Sequence, residues 1–405
     1  MKLAETQKKR WLYLAVCSLG LLFVGVIYAW SILKAPLAQE FGWTASQLAV
    51  NYTVMMCFFC LGALFSGWMT KKWVLRKLLI LSAVLILLGY SLLALLPGGS
   101  LGRLYVLYGV VVGFGIGISY NSLLATGNAW FPDKKGTSSG LMMMCFGFST
   151  MLLGKLAAKM FDLPAFGWRK TFLLLGASIA IVLVLCMLIV RRPTAGDELP
   201  APKKKTGTDN VQPLNSAARE TIHRPTFWLF YVYGFLAASV GSTVISFARD
   251  LSMSLGAAAE TATLLVGILS ICNGFGRILC GVSFDTLGRR KTMILASEVT
   301  VIAPAIMLAA ILSSSLPLAI LSFCLTGVSY GTVPTVSAAF IAAFYGTKDY
   351  ALNYSISNTK LLFSSFSATA AAALLSSTGS YFAPFVLLFA MAVAAFVLVF
   401  AIRKP

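Results

Sequence analysis

Arg277 and Lys360 are cations set inside long apolar stretches. Charge is costly in hydrocarbon and is kept there for a polar task in a protected interior. Neither cation has an acid close to it in the sequence: Asp285 stands at a helix end, and Glu298 falls on a different stretch. Two positive charges without matching acids imply that a ligand brings the negative charge, and a small anion is the simplest such ligand. The competing structural explanation is an internal ion pair, which needs a carboxylate within reach. Spacing gives each cation polar company. Ser270, Asn273 and Arg277 share one helical face by 3-and-4 spacing, as do Asn353, Ser357, Lys360, Ser364 and Ser367, while Ser239, Ser242 and Ser246 stripe a third segment. Together the stripes read as the lining of an aqueous cavity; the serines alone read equally as hydroxyl glue between helices.

The elements that must position these residues are membrane helices. Of 405 residues, 59% are hydrophobic and only 11% are charged, a composition foreign to soluble domains. Twelve apolar runs, each of about 20 residues or more, fall at roughly 11–33, 47–69, 76–97, 103–131, 137–158, 170–190, 226–248, 261–284, 292–312, 316–345, 351–376 and 381–402. The fold class is therefore an all-α polytopic membrane protein, with no segment that requires a strand. At 1.5 Å per residue, Arg277 lies about 12 Å inside the span end near Asp285, and Lys360 about 16 Å inside the end near Asp349. Both cations thus fall near the bilayer centre.

The net charge of +19 is a matter of topology rather than of nucleic-acid binding. Lysines and arginines cluster in alternate loops: Lys8–Lys9–Arg10, Lys71–Lys72 with Arg76–Lys77, Lys134–Lys135, Arg191–Arg192 with Lys203–Lys204–Lys205, and Arg289–Arg290–Lys291. That bias places both termini in the cytoplasm, where the basic loops also meet anionic lipid. All eight cysteines lie inside the apolar runs. Cys57 and Cys60 accordingly read as small residues on one helical face rather than as a redox or metal pair. No nucleophile–base pair, phosphate loop or metal cluster is evident, and the single histidine, His223, stands beside the seventh run, so neither an enzyme nor a cofactor is expected. The first run is long enough to stay as a span rather than be cleaved as a signal peptide.

The stretch 191–224 is poor in apolar residues, holding Pro193, Gly196, Pro200, Pro202 and the lysine triplet, and it separates six runs from six. The expected organisation is a bundle over 1–190, a cytoplasmic linker over 191–224 and a second bundle over 225–405. The halves read as a repeat: Arg191–Arg192–Pro193 closes the sixth run as Arg403–Lys404–Pro405 closes the twelfth, and 67–77 aligns without gaps onto 281–291. A 6+6 repeat is the pattern of bundles that rock about a midplane site. The segment from Gly281 through Asp285 and Gly288 to Arg289, Arg290 and Lys291 resembles the loop signature of the major facilitator superfamily. In physical terms, Gly281 permits close helix approach, Asp285 can cap or pair with a neighbouring helix end, and the arginines can bind that end or lipid. The resemblance implies a latch that gates the cytoplasmic side. In the first half Lys71 stands where Asp285 would be, and Val74 where Gly288 would be.

Further residues resemble the oxalate–formate antiporter family of bacterial major facilitators, related in turn to the monocarboxylate transporters. They are 25–30 with Tyr28, 115–120 with Tyr120, 130–132, Asn273 through Arg277, 327–331 with Tyr330, and Asn353 through Lys360. The resemblance implies two six-helix bundles and a bacterial cytoplasmic-membrane carrier of small carboxylates, expected as a monomer. It casts Arg277 as the carboxylate clamp and Lys360 as a second charge, with Tyr28, Tyr120, Tyr330, Asn273 and Ser357 lining the site. Oxalate carriers of this family pack tryptophans beside the cation pair, whereas Thr326 and Ser357 stand here. That departure favours a roomier pocket open to lactate, pyruvate, formate or a dicarboxylate. Exchange is the expected mode, because an empty site with two buried positive charges resists closing. Proton-linked symport is the alternative, with a proton as second partner, and a carrier of a neutral solute or drug is the remaining rival.

Overall fold

Twelve helices long and apolar enough to cross a membrane account for most of the computed structural model, which describes residues 2–95, 100–194, 196–200 and 214–402. The Lys203–Lys204–Lys205 triplet with Pro202, and the closing Arg403–Lys404–Pro405 run, lie outside the described residues. In chain order the spans are α1 (Gln7–Ala29), α2 (Val50–Met69), α3 (Leu75–Ala94), α4 (Leu101–Ala129), α5 (Lys135–Phe161) and α6 (Gly167–Ile189). The second set is α7 (Pro225–Ser254), α8 (Glu260–Leu287), α9 (Arg289–Leu312), α10 (Leu316–Phe344), α11 (Tyr350–Thr378) and α12 (Phe382–Ala401). Each coincides with one of the twelve apolar runs, and no strand occurs among the described residues.

Local chemistry sets the helix ends. The helix that carries α2 starts with a capping box, in which Gln47 N donates to Thr44 Oγ1 and Thr44 N donates to Gln47 Oε1. The helix of α7 opens with Pro225 at a position where its missing N–H costs nothing. Gly379, at φ 67°, closes α11 in the left-handed conformation that glycine adopts without strain. Four spans are irregular: α1 ends in a 3-10 stretch over Gly25–Ala29, α4 carries a π-helical stretch over Tyr105–Val112, α5 another over Thr150–Gly154, and α11 is interrupted at Thr359, one residue before Lys360.

The chain divides into two compact units. The first comprises Met1–Asp133, Cys145–Pro202 and Tyr350–Ile356, so the opening turns of α11 belong to it. In this unit α2 packs on α4 and α3 on α6. The α2–α4 approach is very close: a methyl group added at Gly117 would lie 2.1 Å from the Phe59 carbonyl oxygen. Near the beginning of α1, Arg10 forks onto Asp133 at 2.7 and 3.2 Å, with its guanidinium 4.6 Å from the Phe131 ring centre. Trp130 Nε1 donates to the Arg191 carbonyl at 2.7 Å.

The second unit comprises Lys134–Met144, Lys203–Asp349 and Ser357–Pro405, so the first turns of α5 belong to it. Its main helix pairs are α8 with α10, α9 with α10, and α7 with α11 and α12. A core of Val244, Leu251, Leu265, Leu269, Phe323 and Phe385 sits where α7, α8, α10 and α12 converge.

Candidate functional site

Lys360 opens the second segment of α11 and is fully buried. Its Nζ donates to Ser337 Oγ on α10 at 2.7 Å and to Ser357 Oγ, one turn back on α11, at 3.1 Å. The ammonium stands 5.2 Å from the centre of the Phe230 ring on α7, a cation–π distance. No carboxylate of the described residues pairs with it. A methyl at Gly234 would meet Lys360 Cε at 2.6 Å and Cδ at 2.7 Å, so the lysine stem fits only because that position on α7 is bare.

Arg277 on α8 is 6% exposed. Its Nε donates to Asn273 Oδ1 at 3.2 Å, and Nη1 donates to the Met143 carbonyl oxygen. It too lacks a carboxylate partner among the described residues. The internal ion pair that could have explained both cations is therefore absent among those residues. Gly331 on α10 lies against the Arg277 backbone, and Ser337 follows six residues later, about 9 Å along the helix. Two positions of α10, about 9 Å apart along its axis, thus touch the surroundings of the two cations.

Tyr330 belongs to the same unit, but its ring covers Gly241 of α7, where a methyl would lie 2.3 Å from Cδ2. Tyr28 and Tyr120 belong to the first unit and both pack on Phe146, at ring-centre distances of 5.3 and 4.8 Å. Tyr120 Oη and Tyr354 Oη share a hydrogen bond of 2.9 Å. The sequence-derived residues therefore form two groups: Arg277, Lys360, Asn273, Ser357 and Tyr330 in one unit, Tyr28 and Tyr120 in the other.

The serine stripes act largely as glue. Ser242 Oγ donates to the Ser364 carbonyl at 3.3 Å, Ser367 Oγ donates to the Ser239 carbonyl at 3.3 Å, and Thr243 shares a 2.9 Å hydrogen bond with Ser367. These bonds tie α7 to α11. Ser270 and Ser246 back-bond to carbonyls of their own helices.

The signature loop forms a seam inside the second unit. Asp285 Oδ1 accepts from Gly136 N at 3.0 Å, and Oδ2 accepts from Thr137 N and Thr137 Oγ1, both at 2.7 Å. The carboxylate thus caps the free amides at the start of α5. A methyl at Gly281 would lie 2.4 Å from the Gly136 carbonyl oxygen, and one at Gly140 would lie 2.5 Å from the Arg277 carbonyl oxygen. Arg277, Gly281 and Asp285 therefore face the first turns of α5 at successive four-residue steps. Gly288, at φ 85°, makes the turn from α8 to α9. Arg289 is buried, donating from Nη1 to the Ile402 carbonyl at 3.1 Å and lying over the Phe344 ring, whereas Arg290 is exposed. In the first unit Gly67, the repeat partner of Gly281, packs on Ala351 and Leu352 at the beginning of α11. Asn121 Nδ2 donates to the Ala351 carbonyl there at 3.1 Å.

Ser337, Phe230, Gly234 and Met143 were not singled out by sequence reasoning. The one local signal was a bare glycine four residues after Phe230 in an apolar helix, which marks space for something to lie across it.

A sequence model of the Major Facilitator Superfamily matches residues 14–259 and 234–405. The uncharacterized MFS-type transporter YhjX of Escherichia coli K12 is 25% identical over 355 residues, 86% of this chain and 84% of that protein. The oxalate:formate antiporter of Oxalobacter formigenes is 25% identical over 358 residues, 87% of this chain and 83% of its own. Among solved structures, a variant of the fucose:proton symporter FucP of E. coli superimposes with a TM-score of 0.69 at 14% identity, covering 97% of this chain and 98% of that one. At that identity the likeness bears on the fold alone.

Proposed function

The chain belongs to the Major Facilitator Superfamily, and from that premise we propose that it carries small carboxylate anions by alternating access, exchanging one anion for another. It is a multi-pass transporter of the plasma membrane and not an enzyme. The observation that supports an anionic cargo is the state of Arg277 and Lys360: two buried cations whose partners among the described residues are hydroxyls, an amide oxygen, a carbonyl and an aromatic face. Neutral dipoles satisfy hydrogen bonds but leave net charge uncompensated, so an arriving carboxylate gains from both cations. The antiporter of O. formigenes, similar over most of its length, supports the same class of cargo and the same mode.

The chemistry follows from the two side chains. Arg277 offers a planar fork that a carboxylate meets with two parallel hydrogen bonds. Lys360 supplies a compact second charge that a dicarboxylate, or the oxygen beside a monocarboxylate, can use. Ser357 and Asn273 hold the two cations, with Tyr330 as a hydroxyl of the same unit, while Tyr28 and Tyr120 offer hydroxyls within the other unit. Bound anion cancels the buried charge and lowers the barrier to rocking, which makes exchange the natural mode. Asp285, Gly281 and Gly288, with Arg289 and Arg290, act as the gate.

Counterflow in proteoliposomes with lactate, formate, oxalate and a neutral sugar tests this. One of the anions is expected to exchange, and Arg277→Lys is expected to lower its rate at least 100-fold, about 3 kcal/mol, because the forked contact is lost while the charge stays. Preferential uptake of the sugar, or normal transport by Arg277→Lys, overturns the proposal.

A further inference from the structure

We infer that Ser337 is a positioning residue that berths the Lys360 ammonium when no anion is bound, so that release from this berth sets how tightly the carrier holds its cargo. The inference rests on the reading of Lys360 as one of the two substrate cations. The berth is built from three helices. Ser337 Oγ donates its own proton to the Val333 carbonyl at 2.6 Å, which leaves only lone pairs to face Lys360 Nζ at 2.7 Å. A hydroxyl committed in this way recognises an ammonium and has no proton to offer a carboxylate, so Ser337 serves the lysine rather than the cargo.

The other walls are equally suited to a cation. Phe230 presents its ring 5.2 Å from Nζ and is held flat by Phe340, with ring centres 3.8 Å apart and planes 4° from parallel. Both rings are fully buried, so the face cannot swing away without repacking. Gly234 leaves the groove through which the lysine stem passes. Ser357 adds the third contact at 3.1 Å. Together these groups stabilise the empty carrier by sheltering a charge that would otherwise lie bare in a low-dielectric interior. A carboxylate must draw Lys360 away from at least one of them, and that competition weakens binding while speeding release.

The expected result is a split between affinity and turnover. Ser337→Ala should lower KM for the exchanged carboxylate about tenfold, the value of one charge-assisted hydrogen bond no longer broken on binding. Its kcat should fall, because the cation no longer has its berth to return to as the anion leaves. Ser337→Thr keeps the hydroxyl and should restore both values; a merely structural role for Ser337 would raise KM or leave it alone. A second readout needs no substrate. Modification of the Lys360 amine by a membrane-permeant acylating reagent, located by peptide mass, should speed up severalfold in Ser337→Ala and in Phe230→Leu, but not in Ser337→Thr. An unchanged or raised KM in Ser337→Ala, or acylation no faster than in the unmodified protein, overturns the berth. If the unmodified protein exchanges no carboxylate, the proposed function fails, and the acylation rates still decide whether the berth exists.

Discussion

The seam at Asp285 gives the sharpest quantitative expectation. Its carboxylate holds three hydrogen bonds on Gly136 and Thr137. Asp285→Asn keeps one accepting oxygen and turns the other into a donor that faces N–H or O–H groups. At least one charge-assisted bond is lost, at about 1.5–3 kcal/mol, together with an anionic cap on a helix N-terminus, at about 0.3–1 kcal/mol. A total of about 2–4 kcal/mol shifts the ratio of docked to released seam by about 30- to 700-fold. Ser138, 1% exposed in the capped turn, is a suitable reporter. In a background with the eight native cysteines replaced, alkylation of Ser138→Cys should accelerate by about that factor until the released state predominates. Exchange should slow, while equilibrium affinity for the cargo should change less than about threefold, because Asp285 stands two turns, about 12 Å, from Arg277. Unchanged alkylation beside slowed exchange would refute the gate, as would a large loss of affinity with normal turnover.

Two further perturbations separate packing from charge. Gly281→Ala sets a methyl 2.4 Å from the Gly136 carbonyl with backbone on both sides. Overpacking of about 1–3 kcal/mol should release the same reporter and cut exchange about 5- to 150-fold, measured by alkylation and counterflow. Arg10→Gln breaks an ion pair whose side chains are 5% and 8% exposed. It should cost about 3–5 kcal/mol and visibly lower the Tm in detergent, whereas Arg10→Leu with Asp133→Leu should recover most of that loss.

The spans were legible because each is a continuous apolar run, and such runs are what a bilayer selects. Their interruptions were not: Tyr105–Val112 holds Gly109 and four valines, and Thr359 follows Ser357 and Asn358, but weak helix formers of this kind recur along the other spans and do not mark where the winding changes. Asp285 and Gly281 stood out by motif, but the helix end they meet lies 148 residues away in the chain, and only the tertiary arrangement pairs them. Arg10 illustrates the same limit. It read as one member of a basic cluster, while its buried partner, Asp133, sits 123 residues on. The serine stripes were legible as stripes, yet periodicity records only that the residues share a face. Whether that face meets water or a neighbouring helix depends on what lies opposite, and for Ser239, Ser242, Ser364 and Ser367 another helix lies there.

That hydroxyl stitching between α7 and α11 bears on how the protein behaves on cooling. Apolar burial from water weakens as temperature falls, but two helices already dissolved in lipid draw little from that source when they associate. Side-chain hydrogen bonds between membrane helices contribute about 0.6 kcal/mol each. The three that join Ser239, Ser242, Thr243, Ser364 and Ser367 owe nothing to the ordering of water. Phe230 and Gly234 lie on one of the stitched helices and Lys360 on the other. The cation and two walls of its berth therefore stay in register in the cold, when stiffening lipid slows every large motion of the carrier.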